Sequence, residues 1–485
     1  MQYIFNTLVK KSLLSKVFSS GLQAIAVQVL GGIFFILILL FLPKDESGAI
    51  AWANNVALVL TMALSFGMDQ VVVRRIAASD RSDWAAPAYF FHLLILNIIS
   101  FAILSSISLV ASNNLGSGMN LLPWMFLVQG LLYIAAPLKF FFNAKQQFKP
   151  YAIIAIISNT AKLFIGLLLI YYSNLTTANA IITLIACSLF ELLALLLYII
   201  IKRKFSFAFK WIAYTKLIKE SSAQFIAVLF DAIHARADVI LIGIITTNAI
   251  TAEYTLAYRA YEITKLPLTV IGPILLARLS RRFALSSTAD TETKAKLQHI
   301  LMLEGFLSTM IPLVLNILWS PLLDSMFDKK FGTVNAQVFL ILSICIPLQF
   351  YINLLWTMCF SARKYRQIST IIGATAVLNI LLNLAFIPIW QGTGAAIAFF
   401  ITVVAQLIAY QILAAKYVAR LNIITIAKFT IIAAISYLIA RYITGSYLLQ
   451  IVISVAIYVS VCLLTKMISK QHILQTILLL KNKQS

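Results

Sequence analysis

"FDAIHARADVILIG", Phe230 to Gly243, sets Asp231, His234, Arg236 and Asp238 inside a run otherwise apolar enough to cross a bilayer. Charged groups do not sit in hydrocarbon alone, so either this segment is not in lipid or its polar groups face something other than lipid. The composition of the whole chain decides. Of its 485 residues, 61% are hydrophobic and 11% charged, where soluble globular chains carry about 25% charged residues. The chain therefore reads as a polytopic membrane protein, and the polar groups of the opening stretch must face protein or water.

The first apolar run, Val17 to Leu42, is longer than a signal-peptide core, and no small-residue cleavage site follows it. Cys187, Cys345, Cys359 and Cys462 lie in apolar runs without CxxC spacing. They read as packed small hydrophobes, with no disulfide and no metal to hold. The formal net charge of +22 raises the question of nucleic acid, but where the charges fall answers it differently.

About 20 apolar residues cross the hydrocarbon core. Breaks at Gly, Pro, Asn and charge clusters give spans near 17–42, 47–73, 84–110, 120–142, 150–172 and 177–201. A second set lies near 218–246, 251–276, 297–323, 334–359, 367–389 and 394–415, and two more near 424–443 and 446–466. Fourteen spans are expected. Thirty of the 38 Lys and Arg residues then fall on one side, including Arg74, Arg75 and Arg81, and Arg363, Lys364 and Arg366. The other side holds Lys44, Lys329, Lys330 and Arg441. The positive-inside rule places both termini in the cytoplasm, which an odd number of spans would forbid. This asymmetry accounts for the basic charge without a nucleic-acid partner. Outward loops are too short to hold a domain, and no GxxxxGK phosphate loop is present.

The two sets of six spans repeat one another. "TAKLFIGLLLIYYSNLTTANAIITLI" from Thr160 matches "TAVLNILLNLAFIPIWQGTGAAIAFFI" from Thr375 in apolar pattern and loop position. "FNAKQQFKPY" from Phe142 answers "FSARKYRQ" from Phe360, and "GAIAWANN" from Gly48 falls where "AEYTLAYRA" from Ala252 falls. Each of those latter helices is followed by an Arg pair, Arg74–Arg75 and Arg281–Arg282. Six is even, so both copies enter from the same side, as parallel repeats about an axis along the membrane normal. The expected architecture is an all-α membrane protein of two six-helix lobes with two extra C-terminal helices. Residues 1–201 form the first lobe, 202–217 a cytoplasmic linker, 218–416 the second lobe, and 417–485 spans 13 and 14 with a cytoplasmic tail. A transporter of this build is expected to bind its substrate between the lobes near the midplane.

Three segments carry a family resemblance. "GAIAWANNVALVLTMALSFGMDQVVVRRIAAS" from Gly48, "ADVILIGIITTNAITAEYTLAYRAYEITKLPLTVIGPILLARLSRR" from Ala237 and "LNLAFIPIWQGTGAAIA" from Leu382 resemble segments of Wzx-type flippases of O-antigen or exopolysaccharide. These belong to the MOP superfamily with MATE antiporters and the lipid II flippase MurJ. The resemblance implies transfer of a polyprenyl-diphosphate-linked oligosaccharide from the cytoplasmic to the periplasmic leaflet of a bacterial inner membrane, by two lobes that rock about a central, often cationic cavity. It implies membrane lipids and a polysaccharide polymerase as partners, and no cofactor.

Eight ionisable groups lie well inside spans: Lys162, Glu191, Asp231, Arg236, Asp238, Arg259, Glu262 and Lys265. Exposed to lipid, all eight would cost roughly 20–28 kcal/mol on the insertion scale, beyond the roughly 5–15 kcal/mol stability of a typical domain. Spans 7 and 8 form a hairpin about Thr247 to Ala249, which sets Asp238 level with Arg259, His234 with Glu262, and Asp231 with Lys265. Each trio shares one helical face. Two readings stand side by side. The stripe is a polar zipper between two helices, or it lines the cavity. In the second reading Arg259 and Lys265 meet the diphosphate while Asp231, Asp238 or Glu262 exchanges a proton or ion. His234 has the side chain that titrates near neutral pH, with a hydrogen-bonded structural role as the plainer alternative.

Arg236 points away from the stripe by helical phase, and its guanidinium fork suits bidentate phosphate contact. Lys162, in span 5, is the other cation without a partner in this scheme, and both have a salt bridge to a neighbouring helix as the bland alternative. Glu191, and Glu304 in span 9, have weaker claims, and Asp69 reads as neutralising Arg74. The tail "SKQHILQTILLLKNKQS" from Ser469 suits an interfacial amphipathic helix. No nucleophile–base constellation appears, so a transporter is expected, not an enzyme. The rival transporter is a MATE-like exporter of organic cations, which acidic and aromatic groups would favour. The interior charges here are four basic to four acidic.

Overall fold

The computed structural model describes residues 27–78, 84–110, 117–145, 147, 149–202, 207–268, 272, 275, 276, 279, 280 and 291–468. Every element among them is an α-helix. Ten of the helices are long and apolar enough to cross a membrane, which makes this a multi-pass membrane protein. The tail from Ser469 and the pair Arg281 and Arg282 lie outside the described residues.

The chain divides into two compact units, Met1–Leu256 and Ala257–Ser485. In the first, α1 (Val27–Phe41) precedes α2 (Lys44–Leu64), α3 (Met68–Ala78), α4 (Ala85–Val110), α5 (Ser117–Ala144), α6 (Lys149–Tyr171), α7 (Thr177–Ile201) and α8 (Trp211–Ile245). α5 packs on α2, α3, α4 and α7, and α6 packs on α7. α8 lies along α2 and meets α3 and α4. α2 packs so closely because it is rich in small side chains: Ser47, Ala49, Ala51, Ala53 and Ala57 are all fully buried. α9 (Asn248–Thr264) starts in the first unit and ends in the second.

The second unit continues with α10 (Thr291–Met326), α11 (Ala336–Ser361), α12 (Tyr365–Tyr417), α13 (Ile424–Ile443) and α14 (Tyr447–Leu464). α12 is broken at Gln391, whose φ of 51° and ψ of −129° are not helical. At 1.5 Å per residue each arm, 365–390 and 392–417, is about 39 Å long, enough for one crossing. α10 packs on α11, α13 and α14, and α11 on α12.

The second sequence span, 47–73, is not one helix. α2 ends at Leu64, and Phe66 and Gly67 turn through the left-handed region (φ 50° and 66°) before α3 begins. Gly67 suits that turn doubly, because a Cβ there would also press on the backbone of Gln224 and Phe225. α8 in turn begins seven residues before the expected 218, at Trp211.

Candidate functional site

α8 carries the opening stretch and is fixed to the first unit at both ends. Toward its C-terminal end, Trp52 Nε1 donates to the carbonyl of Ile240 at 3.1 Å. Gly243 lies flat against the Trp52 indole and Gly48 against the carbonyl of Asn248, neither leaving room for a Cβ. Asn248 donates to Ser117 at 2.7 Å, and Lys44 pairs with Glu253 at 2.5 Å. Toward its N-terminal end, Phe225 stacks on Phe66 with ring centroids 4.5 Å apart. Arg75 Nε donates to Glu220 at 2.7 Å, its second nitrogen reaches the other carboxylate oxygen, and the guanidinium covers the Trp84 ring. His92 bridges the Tyr214 hydroxyl and the Leu64 carbonyl, each at 2.9 Å.

Between these ends the first unit gathers polar groups. Tyr89 donates to Asp69. Ser65 and Thr61, both fully buried, donate to the Met62 and Ala57 carbonyls at 2.7 and 2.9 Å, and the charges of Asp69 and Arg236 both reach Tyr133. Arg236 of α8 therefore lies within electrostatic reach of Tyr133 on α5. Asp238 is 4% exposed and accepts from the Tyr254 hydroxyl at 2.9 Å. His234 and Arg236 are half-buried, whereas Asp231 is exposed at the surface of the unit.

Lys162 is buried at 9% exposure and donates to Asn159 at 3.2 Å. Lys139 and Glu191 pair nearby at 2.5 Å, and both charges reach Lys162. Two ammonium groups and one carboxylate thus share the interior of α5, α6 and α7. The sequence offered no sign of this, since Lys139 stands at the end of an apolar run and reads as a loop cation.

In the second unit, Arg259 donates to Glu262 of its own helix at 2.8 Å. Lys265 lies over the Tyr261 ring, 4.3 Å from its centroid, and Tyr258 and Tyr261 meet Phe399 edge-on. All three charged groups are half-buried. Arrayed beyond them on the two arms of α12 is a buried polar column: Thr375, Asn379 and Asn383 on one arm, Thr402 and Gln406 on the other. Sequence reasoning passed over these because neutral side chains carry no charge signal, although their spacing of four residues was visible.

Chemically, each unit holds cationic side chains with carboxylates and hydroxyls close by, groups able to form charge-assisted hydrogen bonds.

Residues 13–278 match the sequence profile described as "polysaccharide biosynthesis protein". No curated sequence matches the chain. Among solved structures, the lipid II flippase MurJ in an inward closed conformation superposes with a TM-score of 0.72 at 15% identity, covering 90% of this chain and 97% of that one. An inward-facing multidrug resistance MATE family transporter of the MOP superfamily gives 0.63 at 13% identity, covering 80% and 94%. A MOP superfamily transporter from Pyrococcus furiosus, described as having a binding pocket of reverse polarity, gives 0.55 at 12% identity, covering 82% and 94%. The fold is thus shared with these transporters.

Proposed function

The chain belongs to the polysaccharide biosynthesis protein family, and from that premise we propose that it flips a polyprenyl-diphosphate-linked oligosaccharide from the cytoplasmic to the outer leaflet of a bacterial inner membrane. The family match over residues 13–278 carries this reading. A diphosphate and several sugars cannot cross hydrocarbon unaided, because each desolvated charge or hydroxyl costs several kcal/mol. Polar side chains at mid-membrane replace the lost hydration while the lipid tail stays in the bilayer, and alternating access moves the headgroup. No bond is made or broken.

Arg236, Arg259, Lys265 and Lys162 are the cations we assign to binding the diphosphate-linked substrate. Asp231, Asp238, Glu262 and His234 are assigned to proton or ion coupling. The lobes of this reading are residues 1–201 and 218–416, with fourteen spans and both termini in the cytoplasm. Membrane lipids and a polysaccharide polymerase are its partners.

The fold likeness to multidrug MATE transporters supports a second reading, ion-coupled export of organic cations. One experiment separates the two. In a deletion strain of the native host, lipid-linked glycans are extracted and their sidedness tested with a membrane-impermeant reagent, with surface polymer scored alongside. A complete repeat stranded on the inner leaflet, with loss of surface polymer, supports the flippase. Normal glycans with raised sensitivity to cationic drugs support the exporter.

A further inference from the structure

α10 carries an acid that neither reading uses. Leu297, Leu301, Glu304 and Ser308 form one buried stripe at helical spacing. Glu304 is 7% exposed, and among the described residues its Oε2 has no hydrogen-bond partner. None of the ion pairs formed among those residues involves it. Asn316 bonded to Ser343 and Trp319 stacked on Phe339 set the antiparallel register of α10 against α11. That register brings Leu354 and Leu355, both fully buried, to the level of Glu304. On another side of α10, Gly305 lies against Phe429 and Ile426 of α13, and Phe306 stacks on Tyr458 of α14.

The titratable groups that these helices bring to this stretch are few. α11 brings Tyr351, whose hydroxyl donates to Gln411 at 2.6 Å, with Cys345 and Cys359. α14 brings Cys462 and Tyr458, whose hydroxyl donates to the Phe306 carbonyl at 3.0 Å. α13 brings Lys428, which is exposed, and α10 itself carries His299 five residues before Glu304. A bare carboxylate in such a place has lost its water and gained no compensating charge, and packing does not recover that loss.

A second observation lies one turn along. The Ser308 hydroxyl is fully buried and makes a long bond of 3.3 Å to the Gly305 carbonyl. A carboxyl and a hydroxyl therefore stand one turn apart on one buried stripe of α10, oxygens of the kind hard cations take. We propose that Glu304, supported by Ser308, is a binding site for a monovalent cation, a proton or an alkali ion, inside the second unit. What the cation drives rests on the transport reading above; its binding does not.

The test uses the full-length wild-type chain in lipid nanodiscs, with no substrate. Dicyclohexylcarbodiimide, which modifies protonated carboxyls in apolar surroundings, is applied and the modified residue located by peptide mass spectrometry. Modification of Glu304 that falls several-fold from acid to alkaline pH, with sodium and lithium ions without effect, identifies a proton site. Modification suppressed several-fold by sodium or lithium ions at fixed pH identifies an alkali-ion site. A Glu304 that stays unmodified, or whose modification follows neither pH nor salt, overturns the proposal. In proteoliposomes, E304Q is then expected to transport at a rate that no longer follows the cation gradient. If the wild-type chain moves no lipid-linked glycan at all, the flippase reading fails while the modification result still stands.

Discussion

Arg236 shows how far a single residue could be read from sequence. Its helical phase separated it from Asp231, His234 and Asp238, and the structure sets its charge within reach of Tyr133 in the first unit. What the sequence could not give was its company. Asp69 reads as a counter-charge to Arg74, yet it accepts from Tyr89, while Arg75 goes to Glu220. Lys162 reads as unpaired, yet it shares its surroundings with Lys139 and Glu191. Rotation of one helix against another decides such pairings, and local pattern does not carry it. If Arg236 grips the diphosphate, R236A removes a charge-assisted contact worth about 1.5–3 kcal/mol, or roughly ten- to a hundred-fold in transport at limiting substrate. R236K keeps the charge but loses the fork, and is expected to recover only part of that rate. Thermal unfolding of both variants should stay near that of the parent chain.

At the scale of elements, boundaries were legible where strong local signals ended a span. The seventh helix runs Thr177–Ile201 against an expected 177–201, and the thirteenth runs Ile424–Ile443 against 424–443. The break between α2 and α3 escaped notice because Ser65-Phe66-Gly67 sits within an apolar run, and its cause is the backbone of α8 lying against it. This makes G67A a sharp test. A left-handed backbone costs a non-glycine residue about 1–2 kcal/mol, and the new Cβ also meets Phe225, so the melting temperature of the solubilised chain should fall. Replacing Gly243 by leucine should cost a further kind of penalty, about 1–3 kcal/mol for overpacking against Trp52. By contrast E220Q, at a partly exposed ion pair, should shift stability by no more than about 1 kcal/mol. A large loss there, with none at Gly67, would mean that charge and not close packing fixes α8.

At the scale of the whole molecule, composition and span length sufficed to identify a multi-pass membrane chain, since both are summed over many residues. They say nothing of which helices group together. Spans 7 and part of 8 belong to the compact unit Met1–Leu256, in which α8 packs along α2 and Trp52 bonds the Ile240 carbonyl. Reporter fusions check the topology directly. A fluorescent protein fused after Ser485 should fold and shine in the cytoplasm, and alkaline phosphatase fused after Asn174 should be active outside it. The central claim, that this chain flips a lipid-linked diphosphate glycan, is tested most directly with the purified protein in sealed vesicles. Vesicles are loaded with a polyprenyl-diphosphate oligosaccharide from the native host, and its accessibility to a membrane-impermeant sugar-oxidising reagent is followed over time. The account predicts that lipid sealed in the inner leaflet becomes accessible in vesicles with the wild-type chain, and far more slowly with R236A. Equal accessibility in protein-free vesicles and vesicles with the wild-type chain would contradict it.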